Sequence, residues 1–167
     1  MTMRILFIVT CLANIAFAFG SLPWMPNPMA VHFSLDGTPN RFEPPIGFAI
    51  SMSIAIGTMA AVFMGASMLL AVCATRMPTL VNIPNRDHWL NKENRPATIR
   101  RVRSFLEMSG FGTMLFVLFL QWEIFQANQV VPPLLRDYLL YAAGILVAYI
   151  IFDQIRLYRS FCLPKEQ

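Results

Sequence analysis

His32 and His88 are the only two histidines in the chain, and each stands among residues that could support chemistry. His32 is followed by Asp36, Arg41 and Glu43. A histidine near two carboxylates could ligate a divalent cation. A histidine acting as acid–base beside an arginine that holds an anion could serve an enzyme. His88 stands between Asp87 and Trp89, and further carboxylates occur at Glu107, Glu123 and Asp153. Cys11, Cys73 and Cys162 are spaced like no zinc site, so ordinary thiols are expected. The chain has no HExxH, no phosphate loop and no nucleophile elbow. Whether any of these groups cooperate depends on the elements that position them.

Those elements are dictated by four apolar runs, at residues 5–22, 46–75, 104–127 and 138–157. Apolar residues make up 56% of the chain and charged ones only 13%, about half the charged share of a soluble protein. Ten of the 13 Lys and Arg residues lie in the two tails and the connector 76–103, and Arg156 at the end of the last run, leaving Arg41 and Arg136 for the other connectors. This alternation follows the positive-inside rule. The expectation is an all-α, four-helix integral membrane protein forming one domain over residues 1–167, with both ends in the cytoplasm. It would have a Pro-rich extracytoplasmic loop at 23–45 and a basic cytoplasmic connector at 76–103.

Arg4, the apolar stretch 5–15 and Ala16-Phe17-Ala18 resemble a signal peptide. The run continues to Leu22, however, and about 27 Å of helix is enough to span, so an uncleaved anchor is expected. The net charge of +4 sits beside helix ends, where it meets lipid headgroups; direct nucleic-acid binding is not expected.

On this topology His32 and His88 face different compartments and cannot share a metal. No catalytic residue, metal or cofactor is assigned. His32-Phe33, followed by Gly37, Pro39 and Arg41, also suits a compact hydrogen-bonded loop, with Arg41 tying down carbonyls or Asp36. Residues 30–34 read as a short extended stretch and Asp36-Gly37 as a turn. Asn14, inside the first span, should hydrogen-bond to another helix. Glu107 and Glu123 should sit near opposite interfaces, and Asp153 can pair with Arg156 at i,i+3. Ala49, Ser53, Gly57, Ala61 and Gly65 recur every four residues, a small-xxx-small ridge expected to pack within the chain before packing against a second copy or a partner.

Two segments carry a resemblance. Met25-Pro26-Asn27-Pro28-Met29-Ala30-Val31-His32-Phe33-Ser34-Leu35-Asp36-Gly37-Thr38-Pro39-Asn40-Arg41-Phe42 is similar to the outward loop of the DUF1648 membrane family. Asn82-Ile83-Pro84-Asn85-Arg86-Asp87-His88-Trp89-Leu90 resembles the cytoplasmic block that follows the second helix there. Ala30 replaces a common proline, Asn40 an aspartate, Phe42 a tryptophan and His88 a tyrosine. The resemblance implies functional weight on His32, Phe33, Gly37, Pro39 and Arg41 outside, and on Asn82, Pro84, Asn85, Asp87 and Trp89 inside. Its best-known relative is the SdpI-type immunity protein of spore-forming bacteria, which has additional helices. The implied role is non-enzymatic sensing or immunity toward an extracytoplasmic peptide or envelope component, with a protein partner inside. The alternatives are a structural or accessory subunit of a larger complex, homo- or hetero-oligomeric, and an enzyme built on His32, Asp36 and Arg41.

Overall fold

The computed structural model describes residues 2–162. In chain order the elements are α1 (Thr2–Gly20), the strands β1 (Met29–Phe33) and β2 (Pro39–Glu43), α2 (Pro45–Arg76), a short α3 (Arg86–Trp89), α4 (Arg95–Ala127) and α5 (Tyr138–Arg159). Four of the helices are long and apolar enough to cross a membrane, and the chain is a multi-pass membrane protein. The fold is mostly helical rather than all-α. Residues 29–43 form an antiparallel hairpin, in which the extended stretch around His32 finds a partner in β2. Short strands interrupted by bulges and flanked by prolines give little alternation to read.

Proline sets two helix starts. Pro45 and Pro96 occupy the first turns of α2 and α4, where a missing N–H costs nothing. α4 begins at Arg95, nine residues before the apolar run at 104. Its basic first turns are helical.

α4 is the central helix. It packs against α1 and α2, while α5 leans chiefly on α4. The hairpin, the end of α1 and the start of α2 lie at one end of the bundle. The connector between α2 and α4 and the described ends of the chain lie at the other.

Mid-bundle, Phe7, Ile56, Met114 and Val117 form the core. A polar pair sits beside them: Gln121 Nε2 donates to Asn14 Oδ1 at 2.7 Å, and Asn14 Nδ2 donates to the Met114 carbonyl at 3.0 Å. Asn14 thus bonds to another helix, as expected for an amide with no water to turn to.

The small-residue ridge does not pack along its length. Ala49 is fully buried, Ser53 half-buried, and Gly57, Ala61 and Gly65 are exposed. A series at i+4 drifts about 40° per step on an α-helix, so five members turn through about 160° and leave any straight seam. The buried side of α2 instead follows mixed steps of three and four through Ala49, Met52, Ile56, Met59, Phe63 and Ser67. That is the spacing of left-handed helix packing.

Gly110 marks the closest approach to α4. A Cβ there would lie 2.9 Å from the Phe7 ring and 3.2 Å from that of Phe63. We expect Gly110→Ala to lower stability by about 1–3 kcal/mol through overpacking. Gly57→Ala, whose Cβ would meet nothing, should gain up to about 1 kcal/mol from helix propensity. Paired melts in one detergent check the opposite signs.

Candidate functional site: a hairpin latched to the helix ends

The hairpin is fixed from within. Met29 is buried with Phe48 of α2 and Ile124 of α4, and Val31 and Phe33 pack against this cluster. Residues 29, 31 and 33 face inward and His32 is left outside, with register shifts on either side of His32 that break the simple alternation of β1. Between them, Ala30 is fully buried and gripped by the side chain of Asn128, at the C-terminal end of α4. The Ala30 N–H donates to Asn128 Oδ1 at 2.7 Å, and Asn128 Nδ2 donates to the Ala30 carbonyl at 2.9 Å. The side-chain amide takes the place of a neighbouring strand. The same Nδ2 also donates to the Ile124 carbonyl of its own last turn, at 2.8 Å.

The turn is latched separately. The Leu135 N–H, from the segment before α5, donates to the Gly37 carbonyl at 3.0 Å. Gly37 has φ +80°, the left-handed region. A Cβ at this position would overlap the Leu135 carbonyl oxygen. A third tie runs from Gln129 Nε2 to the Trp24 carbonyl at 3.1 Å.

Beneath the latch, Arg136 grips Glu123 with two parallel bonds, Nε to Oε2 at 3.0 Å and Nη2 to Oε1 at 2.8 Å. The Glu123 side chain is only 3% exposed and that of Arg136 50%. The two partners should therefore respond differently to mutation. Arg136→Gln strands a buried carboxylate and should cost about 2–3 kcal/mol, less than a fully buried pair because the arginine is half-solvated. Glu123→Gln leaves the arginine free to turn to water and should cost less than Arg136→Gln. The double variant should recover part of the loss. Melts of the three variants read this ordering, and equal losses for both singles would contradict it.

The outer surface is a polar network with an apolar tip. His32 Nδ1 lies 2.6 Å from Asn40 Oδ1, and Asn40 Nδ2 donates to Ser34 Oγ at 3.0 Å. The Asn40 amide thus joins His32 to Ser34, one end of it at each. Asp36 receives the Thr38 hydroxyl at 2.7 Å and the Thr38 N–H at 3.0 Å. Those bonds hold its carboxyl below the usual carboxylate range. Leu35, at the tip, is 88% exposed.

Arg41 pairs with Glu43, not with Asp36. His32, Asp36 and Arg41 thus each have a different local partner. Pro39 opens β2 opposite Phe33.

The connector block does a different task. Asn85 adopts a left-handed conformation at the start of α3. Its Nδ2 donates to the Phe161 carbonyl at 2.9 Å, and Trp89 Nε1 donates to the same oxygen at 2.8 Å. The Phe161 ring is buried against Trp89, and the Arg101 guanidinium lies 5.1 and 5.4 Å from the two ring centres. Arg101 also donates to the Ser160 carbonyl at 2.9 Å. Asn85 and Trp89 therefore clasp the C-terminal end of α5. Asp87 is exposed beside Arg86, Asn82 is exposed, and Pro84 is half-buried ahead of the turn.

The two blocks are kept apart by α4. One meets it near Asn128 and the other near Thr98, whose hydroxyl donates to the Trp89 carbonyl at 2.8 Å. Thirty residues of helix separate these points, about 45 Å at 1.5 Å per residue. His32 and His88 lie at opposite ends of the bundle. Nothing in the sequence marks Asn128, Gln129 or Arg101 as a tether, because a single polar residue near a helix end looks like any other boundary. Nor does the spacing of Glu123 and Arg136 announce that they pair across Pro132-Pro133.

No protein-family model matches the chain, and neither does any curated protein or solved structure.

Proposed function

We propose that the chain is a non-enzymatic membrane protein of the DUF1648 type, in the cytoplasmic membrane of a bacterium with both ends inside. Its hairpin is the extracytoplasmic surface that meets a peptide or envelope component, in sensing or immunity. The observation that carries this reading is the division of labour in the hairpin. One face is consumed by bonds to α4 and to the segment before α5. The other keeps His32, Asn40, Ser34 and Leu35 open. A docked hairpin loses little conformational freedom on binding, so a ligand meets a pre-shaped surface. The test compares a deletion strain with its parent against a panel of envelope-active peptides. Sensitisation of the deletion strain, uncorrected by a folded Leu35→Asp variant, is expected. Equal sensitivity of both strains across the panel would contradict the reading.

A second reading is an accessory subunit of a larger membrane complex. Gly57, Ala61 and Gly65 favour it, since they leave a flat outward strip on α2 where another helix backbone could approach. Mild-detergent purification separates the two: a lone protomer or homo-oligomer without stoichiometric partners counts against the subunit.

A further inference from the structure

A cleft opens between α1, α2 and α4 toward the connector end of the bundle. It has a cavity volume of about 80 Å³ and opens outward, lined by Arg4, Phe7, Phe63, Met64, Ser67, Met68, Arg103 and Glu107. Its lining is part apolar and part charged. Phe7 and Phe63 meet edge to face at 6.0 Å, and Met64 and Met68 extend the apolar part outward, the latter 69% exposed. Arg4, Arg103 and Glu107 supply the charge.

Arg103 is held in place by its Nε, which donates to the buried Ser67 hydroxyl at 3.1 Å. That bond leaves both Nη groups available. Among the described residues, no carboxylate lies within ion-pair distance of Arg4 or Arg103, and Glu107 joins no ion pair. Two guanidinium groups and one carboxylate give the cleft a net charge of +1.

The depth of the cleft is set by α1. Its 19 residues make about 28 Å of helix, close to the thickness of a bilayer's hydrocarbon core. Arg4, in the first turn of α1, therefore stands at the headgroup boundary, and Arg103 and Glu107 line the same cleft, with Glu107 one turn of α4 deeper than Arg103. An apolar lining beside charged groups near the boundary suits a phospholipid. Guanidinium groups bind phosphate through paired, charge-assisted hydrogen bonds.

We infer that this cleft is a binding site for one anionic phospholipid, its phosphate between Arg4 and Arg103 and an acyl chain along Phe63, Met64 and Met68. The single negative charge of such a lipid matches the net +1. The site is independent of the hairpin reading, because it lies at the other end of the molecule.

Native mass spectrometry of the purified, delipidated full chain tests it, with phosphatidylglycerol or phosphatidylcholine added back. Wild type should retain one phosphatidylglycerol about tenfold more strongly than phosphatidylcholine, from the two charge-assisted contacts. Arg4→Gln/Arg103→Gln should abolish that preference. Met64→Asp/Met68→Asp, which leaves both arginines in place, should also lose the lipid. Equal retention of the two lipids by wild type would overturn the proposal. So would unchanged phosphatidylglycerol retention in either variant. Displacement of the lipid by millimolar inorganic phosphate would overturn it too, by making the ligand a soluble anion.

Discussion

Gly37→Val should unlatch the hairpin and cost about 3–4 kcal/mol of apparent unfolding free energy in detergent. Three effects combine. A residue with a Cβ is disfavoured by about 1–2 kcal/mol in the left-handed region that Gly37 occupies, and a β-branched one more so. The added Cβ meets the backbone oxygen of Leu135, which cannot swing aside as a side-chain tip would. Relieving that overlap breaks the Leu135 N–H bond to the Gly37 carbonyl, a further loss of about 1 kcal/mol. Gly37→Asn separates the contributions, since asparagine tolerates the conformation but not the overlap. Its loss should fall below that of valine yet stay clearly above zero. A melt indistinguishable from wild type for both variants would show that the turn is not held against the segment before α5.

Asn128→Ala is expected to cost about 2–4 kcal/mol and to release β1 from α4. The substitution removes both partners of Ala30, a fully buried residue, and each stranded backbone group costs about 1–3 kcal/mol. Asn128→Asp should not rescue. A carboxylate can accept from the Ala30 N–H but has nothing to donate to the carbonyls of Ala30 and Ile124. Protease susceptibility of residues 34–38 gives a second readout besides the melt, rising in both variants if the hairpin has come loose. If Asn128→Asp matched wild type in both assays, the two-way grip of the amide would be wrong.

The spans could be read from the sequence because hydrocarbon leaves the chain few options: a long apolar run must satisfy its own backbone. The hairpin was half legible. The extended stretch and the turn at Asp36-Gly37 carried local signals, but β2 begins at a proline and its outward residues Asn40, Arg41 and Phe42 show no alternation to reveal a strand. The ridge on α2 misled for a geometric reason, since a period of four is not the period of the helix. The true seam through Met52, Ile56, Met59 and Phe63 is written in large residues that a search for small ones passes over. The connector block carries a distinctive run of residues, yet its partner is not legible. Nothing about Phe161 in the tail indicates that its carbonyl will receive both Asn85 and Trp89. Contacts of this kind join residues more than seventy positions apart, and only the packing of α5 on α4 brings them together.

The orientation of the bundle carries the proposed function, and one labelling experiment reaches it directly. Cys11, Cys73 and Cys162 would be replaced, and single cysteines introduced at Leu35, on the hairpin tip, and at Lys92, exposed in the connector. A membrane-impermeant maleimide added to intact cells should label position 35 at once and position 92 only after permeabilisation. Labelling of position 92 from outside, or protection of position 35 until the cells are opened, would contradict the account.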